Sequence, residues 1–275
     1  MYHSRIGAIE ITSIILIFIM QIYSFLSFDG IFHSKKHDVK VVSALWDFVL
    51  KQKIAIFAEK NISMNIHSIP AFKECYIMQR EDLQRFAATL ADGFSQYNMF
   101  EHVCYGTYNH DLMRLFWEVS LAILPDNAIC IADSKEANSV LAYIPPKSKD
   151  PSLLDYIKAG GVKMFFKFGL RRIIRLTRFN IEIEQVGKRY RAANDGYLMA
   201  FATRLDKQGQ HYGKPLMTAL LNHLDASGES CYLETLEAKN VALYQHFSFQ
   251  LEGQEASQMG NLTLYAMRRP ANPTI

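Results

Sequence analysis

Residues 197–217 read YLMAFATRLDKQGQHYGKPLM. An apolar run rich in Leu, Met, Phe and Ala leads through Asp206 and Lys207 into Gln208, Gly209, Gln210, His211, Tyr212, Gly213 and Lys214. Leu216, Met217, Leu220, Leu221 and Leu224 then recur at helical spacing. The pattern is a strand, a tight loop and a helix. Such a loop aims several backbone N–H groups and the positive end of the following helix at one spot, which suits a pyrophosphate. Gly209 and Gly213 allow a ligand to approach the backbone closely. Pro215 falls in the first helical turn, where its missing N–H is no loss.

Two well-known phosphate loops fit poorly. No GxGxxG is present, and Lys214 is followed by Pro215 rather than by Ser or Thr, so the GxxxxGK[ST] pattern fails as well. Further along, Cys231 to Thr235 (CYLET) has strand character, Asn240 to Phe249 reads NVALYQHFSF, and Asn261 to Arg269 (NLTLYAMRR) reads as a closing strand. In this order the segments resemble the GNAT acetyl-CoA-dependent N-acetyltransferases. Gln208 and Gly213 match the first and last positions of that family's Gln/Arg-x-x-Gly-x-Gly/Ala loop, with His211 at the first glycine. Asn240, Tyr244 and Phe249 match its N-x-x-x-Y-x-x-x-G-F segment, with Ser248 in place of glycine.

The resemblance implies an α/β (α+β) fold: a mixed, mostly antiparallel sheet with one splayed parallel strand pair and helices on both faces. It implies an N-acetyltransferase that moves an acetyl group from acetyl-CoA to a primary amine of a small molecule, peptide or protein, by direct attack in a ternary complex. The backbone of Phe201 and Thr203 would pair with the pantetheine arm, Gln208 to Lys214 would hold the pyrophosphate, and Asn240 would contact the CoA arm. Tyr244 would protonate the departing thiolate. Glu234, near the end of its strand, is the candidate general base beside a water chain; a structural hydrogen bond is the plainer reading of that residue. For Tyr244 the plainer reading is a packed helix aromatic, and for Asn240 an N-cap. A different class of function, a catalytically weak acyl-CoA-binding sensor or scaffold, stays open because His211 and Ser248 stand where the motifs carry glycine.

Length and composition set outer limits. The chain has 275 residues, 49% of them apolar and 21% charged, enough for a sizeable core in a globular protein. A net charge of +3 predicts no general affinity for nucleic acid and leaves room for a local basic patch. Cys75, Cys104, Cys130 and Cys231 are widely spaced without a metal-ligand pattern, so reduced thiols and no metal are expected.

Four regions follow: an apolar segment (1–30), a linker (31–70), the catalytic domain (71–270) and a tail (271–275). Residues 11–28, ITSIILIFIMQIYSFLSF, carry no charge, and Lys35, Lys36 and Lys40 follow them. A membrane anchor with a cytoplasmic catalytic part, a segment packed on the domain, and a secretory signal are the readings of this run. Residues 43–60 have an amphipathic helical face. Within the domain the patterns predict a strand over 72–78, a helix over 81–94, a helix over 111–124 capped by Asp111, and a hairpin of 128–133 with 139–144. Residues 152–180 form a basic amphipathic helical stretch broken at Gly160-Gly161, with Lys158, Lys163, Lys167, Arg171, Arg172, Arg175 and Arg178 against Asp155. Its readings are a solvated basic face, a membrane-surface helix or a nucleic-acid contact, the last without a supporting motif.

Overall fold

The computed structural model describes residues 69–272. The expectations for the 1–30 segment and for the linker helix at 43–60 lie outside the described residues, as does the tail beyond 272. After a 3-10 turn at Pro70–Phe72 come β1 (Tyr76–Ile77), α1 (Leu83–Gly93), α2 (Asn98–Cys104), α3 (His110–Ala122) and the hairpin of β2 (Ile129–Ala132) with β3 (Ser139–Ile144). Two helices, α4 (Leu153–Lys158) and α5 (Gly161–Tyr190), separate this hairpin from β4 (Asp195–Thr203). The chain ends with α6 (Gly213–Ser227), β5 (Ser230–Thr235), α7 (Ala238–His246), β6 (Gln250–Ala256) and β7 (Thr263–Arg269).

The seven strands form one sheet in the order β1-β2-β3-β4-β5-β7-β6. Every neighbouring pair is antiparallel except β4 with β5. The mixed, mostly antiparallel sheet and its lone parallel pair are therefore as expected. Alternate side chains along a strand feed opposite faces. One face packs Phe86, Leu90 and Trp117 of α1 and α3, with Phe168, Ile173 and Phe179 of α5, on Ala200, Ala202 and Tyr232. The other packs Leu216, Leu220 and Leu224 of α6, with Tyr244, on Leu198, Leu233 and Met267. Burying each such side chain contributes roughly 1.5–3 kcal/mol, so both helix layers are fixed to the sheet.

Several elements differ from their predicted extents. The strand expected over 72–78 is reduced to Tyr76–Ile77 because Pro70 opens a turn whose Phe72 is wholly buried. Asn109, not Asp111, caps α3, its side chain accepting from the Leu112 amide at 2.9 Å. Helix α2 lies where no period was legible. Strand β6 was missed because most of its side chains are exposed, so no alternation marks it. The basic stretch breaks at Gly160 (φ 100°) as expected, breaks again at Gly169 (φ 73°, ψ 159°), and runs ten residues past Asn180 to Tyr190. No helix among the described residues is long and apolar enough to cross a membrane.

Candidate functional site

Strands β4 and β5 pair at three positions, Asp195↔Ser230, Gly196↔Cys231 and Tyr197↔Tyr232. Beyond Tyr197, β4 continues to Thr203 paired with β3, while β5 continues to Thr235 paired with β7. The strands therefore part. Backbone N–H and C=O groups of β4 that face the gap have no strand to bond, and such groups require a partner. The closed end is tied by Asp195, 1% exposed. Its carboxylate accepts from Arg268 Nε at 2.9 and 3.0 Å, from the Ala192 amide at 2.7 Å and from the Ser230 hydroxyl. One buried group thus joins β4, β5 and β7.

The loop from β4 to α6 lies at the open end. Gln208 Nε2 donates to Thr203 O at 3.1 Å and Gln210 Nε2 to Asp206 O at 2.9 Å, so both glutamines brace the loop from within. Gly209 (φ 74°) and His211 (φ 65°) are left-handed. His211 thus adopts a backbone conformation that favours glycine. The amides of Gly209, His211, Tyr212 and Gly213 have no backbone partner among the described residues, and they sit at the positive end of the 15-residue α6. That is an anion-binding arrangement. Gly213 has a second reason to be glycine: a Cβ there would lie 2.7 Å from Cζ of Phe201 and 3.3 Å from Oγ1 of Thr203. The absence of a side chain lets the helix start press onto β4.

At the same open end, Asn240 Nδ2 reaches the Thr235 hydroxyl at 3.2 Å and the Tyr97 hydroxyl at 2.5 Å. Glu237, not Asn240, stands at the N-cap of α7, so the Asn240 amide is available for these contacts. Tyr244 is 8% exposed and meets Phe249 edge-on, with ring centroids 5.8 Å apart. Burial pushes its phenol far above the ordinary range, which keeps the proton on it at neutral pH. Ser248 (φ 64°) again takes the left-handed conformation.

Glu234 projects to the other face of the sheet. Helix α5 covers it there: a Cβ on Gly187 would lie 3.5 Å from Glu234 Oε1 and 4.0 Å from the Tyr232 ring. Burial raises its carboxyl to about 7; the Tyr197 and Tyr232 hydroxyls and the Arg191 guanidinium oppose that rise. Oε2 of Glu234 and the Tyr232 hydroxyl are buried without a well-aligned hydrogen bond among the described residues. A buried carboxyl that titrates near neutrality and keeps one oxygen without a well-aligned hydrogen bond is suited to taking a proton. An open cleft nearer α2 is lined by Asn98, Glu101, His102, Tyr105, Arg175 and Asn261.

The structure brings Phe201, Thr203 and the loop residues Gln208 to Lys214 together, and it sets Asn240 beside the gap. Glu234 and Tyr244 lie on opposite faces of the sheet. Sequence reasoning missed Tyr97, Thr235, Tyr232, Tyr197 and Arg191. For Tyr97 no local signal existed, since it reaches Asn240 across 143 positions of sequence. Tyr197 and Tyr232 do carry a signal, since they and Glu234 alternate onto one face of the parallel pair. Among the described residues no group of three or more His, Cys, Asp or Glu is placed to hold a metal ion.

No family model matches the chain, and no curated protein does. In structure it is similar to a histone acetyltransferase HPA2 and related acetyltransferase from Corynebacterium glutamicum, with 19% identity over 73% of this chain and 98% of that one, at a TM-score of 0.49. It is also similar to the ribosomal-protein-S18-alanine N-acetyltransferase from Escherichia coli (12% identity, 73% and 95% covered, TM-score 0.42). A third likeness is to Naa20 of Chaetomium thermophilum in complex with a bisubstrate analogue (13% identity, 72% and 86% covered, TM-score 0.40). The strand order, with a lone parallel pair that parts after three residues beside a glycine loop and a helix start, gives this chain the fold of the GNAT acetyltransferases.

Proposed function

We propose that the protein transfers an acetyl group from acetyl-CoA to a primary amine by direct attack in a ternary complex. The observation that carries this reading is the parting of β4 from β5 next to the loop of unpaired amides. A slender amide-bearing arm would lie between the strands, and its diphosphate would rest on the loop. Acetyl-CoA would supply the thioester carbonyl that the amine attacks. The β4 backbone at Phe201 and Thr203 would pair with the pantetheine amides, and Gly209 to Lys214 would face the pyrophosphate. Asn240, held by Tyr97 and Thr235, would orient the arm near the thioester.

Glu234 would take the proton that the acceptor ammonium must lose before attack, from the face that α5 covers. As the nitrogen–carbon bond forms and the carbon–sulfur bond breaks, the thiolate needs a proton, and Tyr244 is the candidate donor. General acid and base groups of this kind each contribute about 10²–10⁴-fold.

Calorimetry with acetyl-CoA on the full chain tests the reading first. Lys214→Glu, an exposed position at the start of α6, should weaken binding about tenfold or more by placing a carboxylate against the diphosphate. Gly213→Glu is a poorer probe, because its Cβ alone would strike Phe201. Thioester turnover over a panel of amines, with Tyr244→Phe as control, then separates an enzyme from an acyl-CoA-binding scaffold. Binding without turnover on any amine would favour the scaffold, and no binding at all would end both readings.

A further inference from the structure

The α4–α5 segment between β3 and β4 carries an exposed surface to which the proposed acetyl transfer assigns no role. Among the described residues, Leu154 (57% exposed), Phe166 (62%) and Ile174 (39%) are three of the six exposed large apolar side chains, and all three fall within this segment. They lie among bases: from Lys147 to Arg178 the sequence has nine basic residues and two acidic ones, Asp150 and Asp155.

Helical spacing sorts these side chains. In the first part of α5, Lys163, Phe166 and Lys167 are exposed at i, i+3 and i+4, on one face. After the break at Gly169, Arg171, Ile174 and Arg178 are exposed at i, i+3 and i+7, opposite the buried Ile173, Leu176 and Phe179. Each face therefore presents one large apolar side chain flanked by two cations. Lys163, Lys167, Arg171 and Arg178 form no ion pair among the described residues. Of the readings open from the sequence, a solvated basic face would leave Phe166 and Ile174 without a role.

We infer that the exposed basic and apolar surface of α5, on both sides of the Gly169 break, docks on an anionic lipid surface. Unpaired cations match acidic headgroups, while Phe166 and Ile174 enter the boundary between headgroups and acyl chains, as on interfacial helices. A nucleic-acid backbone would satisfy the cations and leave the two apolar side chains without a role. The chain's own chargeless run at residues 11–28 would do the reverse. Durable membrane attachment generally takes two signals, and the chargeless run at residues 11–28 is the candidate for a second on the same chain.

The test is flotation of the full chain with vesicles of phosphatidylcholine alone or with phosphatidylserine. Two variants on exposed positions are compared, Lys163→Glu/Lys167→Glu/Arg171→Glu and Phe166→Ser/Ile174→Ser, with circular dichroism and acetyl-CoA binding as checks on folding. The parent should prefer the anionic vesicles and lose that preference at high salt. The charge variant should bind about 100-fold more weakly, and the apolar variant about tenfold more weakly. Failure of the parent to bind anionic vesicles overturns the inference. So does binding that neither variant changes, which would place the contact elsewhere. Equal affinity for a DNA duplex, untouched by the apolar substitutions, would mark the face as a polyanion site and overturn it too. Slow reaction of Phe166→Cys with a water-soluble maleimide in the absence of lipid would mean that the chain already covers the face, with the same consequence.

Discussion

The two ends of the β4–β5 seam are built from the same two strands and serve opposite ends. At the closed end the buried Asp195 is fully engaged: it accepts from Arg268, Ser230 and the Ala192 amide, and three successive residue pairs follow. At the open end, backbone groups of β4, the loop amides and one oxygen of Glu234 lack such partners. Stability is concentrated where the strands meet, and binding capacity where they part. Unmade hydrogen bonds there are offset by the clamp a few residues away.

The largest effect should come from cutting the clamp. Asp195→Ala leaves the Arg268 guanidinium, the Ser230 hydroxyl and the Ala192 amide without their shared acceptor. Removing one partner of a buried pair typically costs about 3–5 kcal/mol. Urea denaturation of the variant should show a loss of that order. A loss under about 1 kcal/mol would mean that strand pairing alone holds the closed end, and the contrast between the two ends would fail.

The next effect has the opposite sign. Between pH 4.5 and about 7 the folded Glu234 carboxyl holds a proton that the unfolded one has released. The folded state then binds more protons, so this group's contribution to stability falls as pH rises through that window. The deficit is about 3 kcal/mol and complete above pH 7. Glu234→Gln should therefore match the parent near pH 4.5 and exceed it by up to about 3 kcal/mol at pH 8, in melts run across pH. Turnover should move the other way, rising in the parent as pH passes about 7 and dropping about 100-fold or more in the variant. A variant that gains no stability would show that Glu234 is not strained, and a variant with full turnover would show that it is not the base.

A smaller effect is expected where the open end is braced from a distance. Tyr97→Phe removes the hydroxyl that meets the Asn240 amide. Loss of one such hydrogen bond is worth about 1 kcal/mol, so acetyl-CoA affinity should fall about fivefold with the fold intact. An unchanged affinity would make Tyr97 a packing residue only.

These residues also show what could be read from the sequence. The loop at 208–214, the strands around it and the Asn240–Tyr244 spacing were legible because each is a local pattern with a local cause. Glu234 was legible as a candidate, but its state was not. That state depends on Gly187 of α5, 47 positions upstream in a helix whose end the composition did not mark. Tyr97 was invisible for the same reason, since only tertiary packing carries the α1–α2 turn to α7. Strand β6 escaped because an exposed edge strand has no alternation to detect.

His211 and Ser248 join the two kinds of information, and they set the smallest expected effect. Both stand where the resembling motifs have glycine, and both adopt φ near 65°. The backbone at both positions takes a conformation that suits glycine and that other residues disfavour, at roughly 1 kcal/mol each. Ser248→Gly, at the turn between α7 and β6, should then raise stability by about 0.5–1 kcal/mol without altering acetyl-CoA binding. His211→Gly should raise stability similarly. It also removes a side chain from the loop whose amides face the gap, so its binding result is the informative one. Tighter acetyl-CoA binding would mean that the imidazole obstructs the loop, which would favour the scaffold reading. Weaker binding would mean that the imidazole contributes a donor to the diphosphate, so that the departure from glycine is part of the open end's function.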